Sequence, residues 1–365
     1  MPQIARQQRT LRLLAALICA ALLFSSCSPA PTESIQPTSA SPTAIPIPYA
    51  QVTFQVEVPL QTPASDSITL DVLDEVTGLA INPTRYTLKK TDDTHAAITI
   101  AIPVGSLVRY RYGRDSKSAA VEHTFQGTQV RYRLLIVAGT TSVNDIVCAW
   151  NDLPAQGSTG QVVGSVIDAE DQSPIPGVMV NVAGQQVVTG TDGSFVIADI
   201  PVGTHNLVAM SLDGRYSAYQ QQAVIAENAT TPVPLQLNAA KMVNVTFNVK
   251  SPEGEIQGLP IRIVGNSYLL GNTFADLNGG FSIVASRAPL LTLQSGTNYS
   301  LTLSLPAGYD LRYKYSLGDG FWNSERSSDG QLKLRQLIIP DHDITIDDWI
   351  DTWQVAGSAP VTFSV

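Results

Sequence analysis

Cysteine is scarce in this chain, with three among 365 residues. Cys19 and Cys27 lie near the amino terminus, so Cys148 is the one cysteine in the remainder of the sequence. A single cysteine cannot form an intrachain disulfide. We therefore expect the fold to be held together by burial of apolar side chains and by strand pairing.

Motifs that carry chemistry are also missing. The sequence contains no nucleophile elbow, no His-Glu metal motif, no phosphate loop and no glycine-rich dinucleotide turn. Outside the acidic run at 341–351, the histidines His95, His123 and His205 have no ligand partners at metal spacing. Solvated turn residues explain the acidic run better than a calcium site does. We expect no cofactor and no enzyme, although paired carboxylates that converge only in the folded chain would escape this search.

Positive charge is limited as well. Lysine and arginine number 22 against 31 aspartates and glutamates, for a formal net charge of −9. Only 15% of the residues are charged, whereas glycine and proline together number 49, as 26 plus 23. An acidic chain of this kind has no electrostatic footprint for nucleic acid or anionic lipid head groups. The composition favours turn-rich β structure.

The first 26 residues have the composition of an export signal. Three arginines, Arg6, Arg9 and Arg12, precede an uncharged apolar run from Leu13 to Phe24. A run of about a dozen residues is too short to cross a bilayer as a helix, but it suits a signal peptide. Removing this segment changes the net charge from −9 to −12, since three positive charges leave with it.

The segment that follows predicts a membrane tether. Ser25-Ser26-Cys27 resembles a lipobox, in which the cysteine is diacylated and becomes the mature amino terminus; the alternative is an ordinary signal peptide with a coincidental cysteine. The tether, residues 27–48, is rich in serine, threonine and proline, which favours extended chain. At roughly 3 Å per residue it could hold a domain up to about 60 Å from a membrane. We expect a lipid on Cys27 and an extracytoplasmic location at the cell surface.

The chain contains an internal repeat. The segment Val-Thr-Phe-Gln-Val at 52–56 returns as Val-Thr-Phe-Asn-Val at 245–249. Two further segments return with one shared offset of 203 residues: 103–112 at 306–315, and 143–150 at 346–353. We place one module at 49–153 and the other at 241–355. A third copy of the opening strand makes 356–365 either the start of a further module or an edge strand.

Each module reads as short segments with a period of two. Val52, Phe54 and Val56 point one way, and the polar residues between them point the other. Strict alternation gives one buried and one wet face, as in antiparallel sheets. Several such strands in one module, separated by turn signals and without a helical period, predict all-β structure. We expect tandem antiparallel β-sandwiches of the immunoglobulin-like type.

The segment at 159–238 differs from the two modules. Its turn motifs are Pro-Ile-Pro-Gly at 174–177, Thr-Gly-Thr-Asp-Gly at 189–193 and Pro-Val-Gly at 201–203. With these motifs it resembles the carboxypeptidase regulatory-like domains, which are transthyretin-like sandwiches of seven strands. The resemblance implies a spacer or interaction module without peptidase activity, metal ligands or catalytic residues.

The module at 241–355 resembles the starch-binding carbohydrate-binding modules of family 20. The resemblance rests on three pieces: Ile-Arg-Ile-Val-Gly at 261–265 with Leu-Gly-Asn at 270–272, Leu-Pro-Ala-Gly at 305–308 with Leu-Arg-Tyr-Lys-Tyr at 311–315, and Phe-Trp-Asn-Ser-Glu at 321–325. In that family two aromatic rings and a lysine form a sugar platform. The apolar C–H face of glucose stacks on an aromatic face, and its hydroxyls need polar partners at the rim.

The resemblance carries this platform over only in part. Lys314 and Trp322 match it, but the second tryptophan position is Thr273. Tyr268 or Phe274 would have to compensate. The candidate carbohydrate-binding residues are Trp322, Lys314, Tyr268, Asn323 and Glu325. In the first module Arg111 stands at the lysine position and no tryptophan follows it, so we expect that copy to bind sugar poorly or not at all.

Other aromatic residues suit packing. We interpret Trp150, Trp349 and Trp353 as core or interdomain residues, and the pairs Tyr110–Tyr112 and Tyr313–Tyr315 as packing residues whose phenol tips reach solvent. The leading hypothesis is a non-catalytic surface lipoprotein that binds a starch-like polysaccharide such as an α-glucan. The alternative is a structural stalk or adhesion protein whose sandwiches contact a protein partner at the cell surface, and Thr273 favours it.

Overall fold

The computed structural model describes residues 47–73, 83–115, 119–256, 258–272, 284–318 and 323–353. Within these ranges the chain forms β-strands and two 3-10 helices of three residues each. The expected all-β class is confirmed: the strands form three β-sandwiches in tandem. Across the same ranges, no helix has the length and apolar character needed to cross a bilayer.

The described residues of the first sandwich form ten strands. They are β1 Tyr49–Glu57, β2 Ser67–Val72, β3 Thr84–Thr87, β4 Lys89–Lys90, β5 His95–Pro103, β6 Leu107–Asp115, β7 Ala120–His123, β8 Arg133–Ile136, β9 Thr141–Ile146 and β10 Ala149–Trp150. One sheet has the order β4-β5-β1-β9. The other has the order β10-β7-β6-β2-β3, and β8 also pairs with β6.

The middle sandwich contains seven strands. They are β11 Thr159–Asp168, β12 Val178–Val182, β13 Gln185–Val188, β14 Ser194–Pro201, β15 Gly203–Ser211, β16 Tyr219–Ile225 and β17 Thr230–Leu237. Its sheets have the orders β14-β11-β17 and β13-β12-β15-β16.

The third sandwich also has seven strands among its described residues. They are β18 Met242–Lys250, β19 Ile261–Gly265, β20 Thr292–Ser295, β21 Asn298–Pro306, β22 Asp310–Leu317, β23 Arg335–Ile338 and β24 Ile344–Trp349. The sheets have the orders β20-β21-β18-β24 and β19-β22-β23. The short helices Tyr268–Leu270 and Ala285–Arg287 lie between β19 and β20.

The sandwiches are not wholly antiparallel, which corrects one part of the expectation. The opening strand of each one pairs in parallel with a late strand: β1 with β9, β11 with β17, and β18 with β24. A parallel pair needs a long crossover connection. Here the intervening strands of both sheets provide that connection, so a local alternation pattern could not reveal it.

The opening strands place their apolar stripe in the core, as predicted. Val52 and Phe54 on β1 are fully buried, and so are Val245 and Phe247 on β18. Full burial of one such side chain contributes about 1.5–3 kcal/mol. Each phenylalanine packs edge-on against a tyrosine of the opposite sheet, with ring centroids 4.9 and 5.3 Å apart.

The tryptophans near the closing strands are used in packing, with one exception. Trp150 and Trp353 are buried, and their indole N–H groups donate to Thr62 Oγ1 at 3.0 Å and Ser251 Oγ at 3.1 Å. Trp349 is 38% exposed. Buried indoles with a satisfied N–H stabilise a core without leaving an unpaired donor.

The first and middle sandwiches share an apolar cluster. Its buried members are Leu73, Tyr132 and Leu134 from the first sandwich, and Met179, Val208 and Met210 from the middle one. Interfaces within a chain allow relative motion unless they are large and apolar. This cluster joins the first two sandwiches through buried apolar side chains.

Side-chain amides of the middle sandwich also cover one edge of the first. Asn181 Nδ2 donates to the backbone oxygen of Tyr132 at 3.2 Å, and Asn206 Nδ2 donates to that of Leu134 at 2.9 Å. The backbone N–H of Ile136 donates to Gln220 Oε1 at 2.7 Å. All three acceptor or donor groups belong to β8 or its start, so the amides replace a neighbouring strand. Covering an edge in this way removes a template for unwanted pairing.

The first sandwich also contacts the third. The backbone N–H of Leu107 donates to Asp310 Oδ2 at 2.9 Å, and Gln336 Nε2 donates to Ser106 Oγ at 2.9 Å. Gly105 has a φ of +91°, and a Cβ there would lie 2.6 Å from Ile338 Cγ2. Only glycine combines this backbone conformation with such a close approach. The backbone of the first sandwich therefore packs directly on β23.

Candidate carbohydrate-binding site

Two of the five candidate sugar-binding residues are buried. Lys314 on β22 is 1% exposed, and Glu325 has no exposed surface. β22 is the central strand of its sheet, and nearly all of its residues are buried on both faces. The structure therefore places Lys314 and Glu325 inside the sandwich, where they offer no surface to a polysaccharide, instead of on an exposed platform.

Glu325 belongs to a buried network around Arg335. Its Oε1 accepts the backbone N–H of Tyr315 at 2.8 Å and pairs with the guanidinium of Arg335. Arg335 also donates to Asp348 Oδ1 at 3.1 Å and lies 5.0 Å from the ring centroid of Tyr315. The hydroxyls of Tyr313 and Tyr315 both donate to Asp348 Oδ2, at 2.9 and 2.7 Å.

The first sandwich contains the same network. Glu122 Oε1 accepts the backbone N–H of Tyr112 at 3.0 Å, and Glu122 Oε2 pairs with Arg133 at 3.0 Å. Arg133 also pairs with Asp145 Oδ1 at 3.1 Å. The hydroxyls of Tyr110 and Tyr112 donate to Asp145 Oδ2 at 2.8 and 2.9 Å. We call these two sets of five residues the paired networks.

The sequence repeat also preserves the residues of the paired networks. The tyrosines, the glutamates and the aspartates keep the offset of 203 residues, and only the arginines, Arg133 and Arg335, are 202 apart. The expectation that the phenol tips reach solvent is wrong, because the four hydroxyls end on internal carboxylates. Strand alternation identifies which face is buried, but it does not show that a buried carboxylate accepts the hydrogen bonds of these hydroxyls.

Burial and charge pairing set the protonation of these groups. Burial, followed by the nearby aspartate, raises the pKa of each of the four tyrosines well above 10.0. Burial also raises the pKa of Glu122 and Glu325, and the paired arginine in each network makes this rise smaller. Burial alone would lower the pKa of Arg133, but Glu122 and Asp145 raise it further than burial lowers it. Each network therefore holds a charged arginine between acids, with neutral phenols beside them.

Tyr268 is the candidate residue that the structure exposes most. It begins the short helix Tyr268–Leu270, where the Ser267 side chain accepts the backbone N–H of Leu269 at 3.3 Å. Leu270 is buried and fixes the helix on the core. The Tyr268 ring is left 56% exposed, so its face can contact a ligand.

The remaining candidates fall at or beyond the limits of the description. Asn323 is half-buried. Trp322, Thr273 and Phe274 lie outside the described residues, as does the lipid-attachment candidate Cys27. The structure thus brings none of the described candidates together into one exposed polar and aromatic surface.

The equivalent surface of the first sandwich is a charge cluster. Arg111 on β6 lies 3.5 Å from the buried carboxylate of Asp71 on β2. Arg85 on β3 donates to both oxygens of the same carboxylate, at 2.7 and 3.0 Å. Arg111 and Arg85 therefore lie against a buried carboxylate on this sheet face. That this copy binds sugar poorly stays a prediction.

The acidic run near the end of the third sandwich is used in strand contacts. Asp343 accepts the backbone N–H and the side-chain N–H of Asn244 at 2.7 and 3.0 Å, and Asp347 accepts the side chain of Asn248 at 2.9 Å. Among the described residues, no group of three His, Cys, Asp or Glu side chains is arranged to hold a metal ion.

The middle sandwich can be compared with a known family. Residues 161–238 match the carboxypeptidase regulatory-like domain. The prediction for this segment is confirmed, and the match runs from the third residue of β11 to the end of β17. No curated protein matches the chain.

Solved structures similar to the chain share low identity with it. The TIE protein of Bacillus anthracis is 10% identical, with 83% of this chain and 50% of that one covered and a TM-score of 0.20. A streptococcal ancillary pilin is 10% identical, with 81% and 98% covered and a TM-score of 0.24. A candidate carbohydrate-binding protein from Bacteroides uniformis is 11% identical, with 50% and 97% covered and a TM-score of 0.20. The chain thus spans half the length of the TIE protein.

The turn motifs of the regulatory-like domain serve the fold. Asp192 Oδ1 accepts the backbone N–H of Ser194 at 3.0 Å and its hydroxyl at 2.7 Å, which closes the Thr-Asp-Gly turn. Thr189 Oγ1 donates to Ile175 O at 2.8 Å and accepts from the backbone of Val178 at 3.0 Å. Short polar side chains that bond nearby backbone groups are typical of strand reversals.

Proposed function

We propose that the chain is a non-catalytic protein, tethered outside the cytoplasm by a lipid on Cys27, that presents its three sandwiches at the cell surface as one rigid binding unit. The observation that carries this proposal is the covered edge of β8. Asn181, Asn206 and Gln220 of the middle sandwich take the place of a neighbouring strand.

Contacts to the third sandwich support the same function. The backbone N–H of Leu107 donates to Asp310, and the side chain of Gln336 donates to Ser106. The side chain of Ile338 packs closely against Gly105. A preorganised unit loses less conformational freedom when it binds a partner than a flexible one does. The tether of 27–48 supplies reach, and the sandwiches supply a fixed surface.

Anchoring and surface exposure are tested together in cells that produce the full chain. We expect a fatty acid label on the protein, recovery in the membrane fraction and cleavage by protease added to intact cells. Cys27→Ser removes the label, whereas the matched change Cys148→Ser keeps it. A cytoplasmic chain without label, or one that keeps its label in Cys27→Ser, would contradict the proposal.

A second candidate function is recognition of a starch-like polysaccharide by the third sandwich. Exposed Tyr268 favours it, together with the neighbouring Leu269, which is also exposed. Burial of Lys314 and Glu325 weighs against it. The test is retention of the processed chain carrying Cys27→Ser on insoluble starch, cellulose and chitin.

Three variants show which side chains that retention depends on. Tyr268→Ala and Trp322→Ala each abolish retention on starch if the third sandwich binds sugar through aromatic stacking. Tyr49→Ala removes an exposed tyrosine of the first sandwich and serves as the control. Absence of retention on all three polysaccharides leaves the presenting unit as the function.

A further inference from the structure

A polar cleft of about 390 Å³ separates the first sandwich from the middle one. Its walls are formed by β9, by the first residues of β15 and by β16, and Leu135 lies at one side. The volume falls within the range of about 300–1,000 Å³ that is usual for ligand pockets. The cleft is remote in sequence from every residue considered for the third sandwich.

The lining of the cleft has a distinct chemistry. Eight of its eleven residues carry a hydroxyl or amide side chain, and none carries a carboxylate, an ammonium or a guanidinium group. Strand alternation accounts for the arrangement. On β9, Val143 points into its own core while Ser142 and Asn144 are exposed; on β16, Ala223 is buried while Gln222 is exposed.

Part of this polar set is already held in place. Asn206 Nδ2 donates to Leu134 O at 2.9 Å and to Gln220 Oε1 at 3.2 Å. Gln220 in turn accepts from the backbone of Ile136. These bonds fix the floor between the two sandwiches, so the cleft is formed before any ligand arrives, which lowers the cost of binding.

The rest of the set is available. Within the described part of the chain, Ser142, Asn144, Thr204 and Gln222 have no hydrogen-bond partner for their side chains. All four are exposed. Together they offer donors and acceptors from both sandwiches to one bound molecule.

His205 lines the cleft, but its imidazole is buried. It is 1% exposed, and its Nε2 lies 2.7 Å from Pro201 O. A carbonyl can only accept, so Nε2 carries the proton and Nδ1 is an acceptor. Nδ1 is buried and has no hydrogen-bond partner. Buried polar atoms without a partner are rare in folded proteins and call for an explanation.

We propose that this cleft binds a neutral oligosaccharide. A sugar hydroxyl both donates and accepts, which matches a lining of amides and hydroxyls. A charged ligand would lose its hydration here without meeting an opposite charge, at a large cost.

The inference deepens the second candidate function, carbohydrate recognition, but moves it to another site. The experiment titrates the processed chain carrying Cys27→Ser with maltohexaose, cellohexaose, xylohexaose and chitohexaose, followed by calorimetry. We expect one of these neutral sugars to bind. The double variant Asn144→Ala with Gln222→Ala weakens that binding by about tenfold or more, because two hydrogen bonds to the sugar are lost.

Two control variants make the result specific. Thr87→Ala with Gln236→Ala removes an exposed hydroxyl of the first sandwich, on the sheet that does not contain β9, and an exposed amide of the middle sandwich, and leaves binding unchanged. Tyr268→Ala also leaves it unchanged. Because the substituted side chains of the cleft are exposed, the variants keep the fold, which circular dichroism checks.

The other outcomes each overturn the inference. Binding that is lost in Tyr268→Ala but kept in the cleft variant refutes the cleft and supports the third sandwich. Absence of binding to all four sugars refutes both carbohydrate sites. β9 and β16 are edge strands in the described sheets, so a neutral Ser/Thr hexapeptide is titrated in parallel. Binding of the peptide in place of the sugars would assign the cleft to a peptide.

Discussion

The hydroxyl of Tyr315 donates a 2.7 Å hydrogen bond to the carboxylate of Asp348, and Tyr112 makes the same bond to Asp145 at 2.9 Å in a sandwich that begins about 200 residues earlier. In both sandwiches the aspartate also accepts a hydrogen bond from an arginine. Charge-assisted bonds of this kind are shorter and stronger than neutral ones. The repeat therefore preserves a buried electrostatic unit as well as an apolar stripe.

Loss of the buried carboxylate is expected to destabilise the first sandwich strongly. Asp145→Asn leaves Arg133 with one acid where it had two, and removal of one partner from a buried ion pair costs about 3–5 kcal/mol. Urea unfolding measures the change. Asp348→Asn should cost less, because that side chain is 13% exposed against 3% for Asp145.

The neighbouring residue Asp347 supplies the control. It lies on the same strand as Asp348 but is exposed. Asp347→Asn should change the free energy of unfolding by no more than about 0.5–1 kcal/mol. Equal effects of Asp347→Asn and Asp348→Asn would contradict the assignment of the network as a stabilising unit.

High pH should unfold the outer sandwiches. The pKa of Tyr110, Tyr112, Tyr313 and Tyr315 lies well above 10.0 in the folded chain. Above about pH 10 the unfolded chain loses the phenolic protons that the folded chain keeps, so the folded state binds more protons and stability falls as pH rises. Tyrosinate absorbance of these residues should appear only together with loss of circular dichroism. Tyr315→Phe should flatten the decline, and tyrosinate formation in a folded chain would refute the burial of the hydroxyls.

Gln220 should protect a single amide of the first sandwich. The backbone N–H of Ile136 donates to its side chain across the contact between the sandwiches. Gln220→Ala removes that acceptor, and we expect the hydrogen-exchange rate of Ile136 to rise about tenfold or more. Gln222→Ala, two residues along the same strand, should leave the rate unchanged. An unchanged rate in Gln220→Ala would mean that the covered edge does not persist in solution.

Cys148 should react slowly with thiol reagents in the folded chain. Burial raises its pKa to about 11 from an ordinary 9.0, so little thiolate exists near neutral pH. In the processed chain with Cys27→Ser, we expect slow modification that accelerates on addition of urea. Fast modification of the native chain would place Cys148 at an accessible surface.

The sequence allowed prediction of those features that depend on local pattern. Alternation along 52–56 predicted the buried stripe of β1, and the shared offset predicted two modules of one design. The turn motifs predicted the regulatory-like domain of the middle segment. The paired networks were not predicted, because Glu122 and Asp145 meet only when strands of opposite sheets pack together.

The contacts between the sandwiches could not be predicted, because they leave no pattern in the sequence. Asn181, Asn206 and Gln220 are ordinary polar residues on strand surfaces, and their amides acquire a role only because β8 approaches them. The burial of Lys314 and Glu325 was also not predicted. Lys314 and Glu325 occupy motif positions, but a motif does not state whether a central strand is covered on both faces.

The most direct test of the presenting unit is a set of distance distributions between spin labels. In the processed chain with Cys27→Ser and Cys148→Ser, labels at Gln55→Cys and Gln236→Cys span the first and middle sandwiches, and labels at Gln55→Cys and Gln294→Cys span the first and third. All three positions are exposed. Rigid sandwiches give one narrow distribution for each pair. Broad or multiple distributions would show independent domains on flexible joints and would contradict the proposed function.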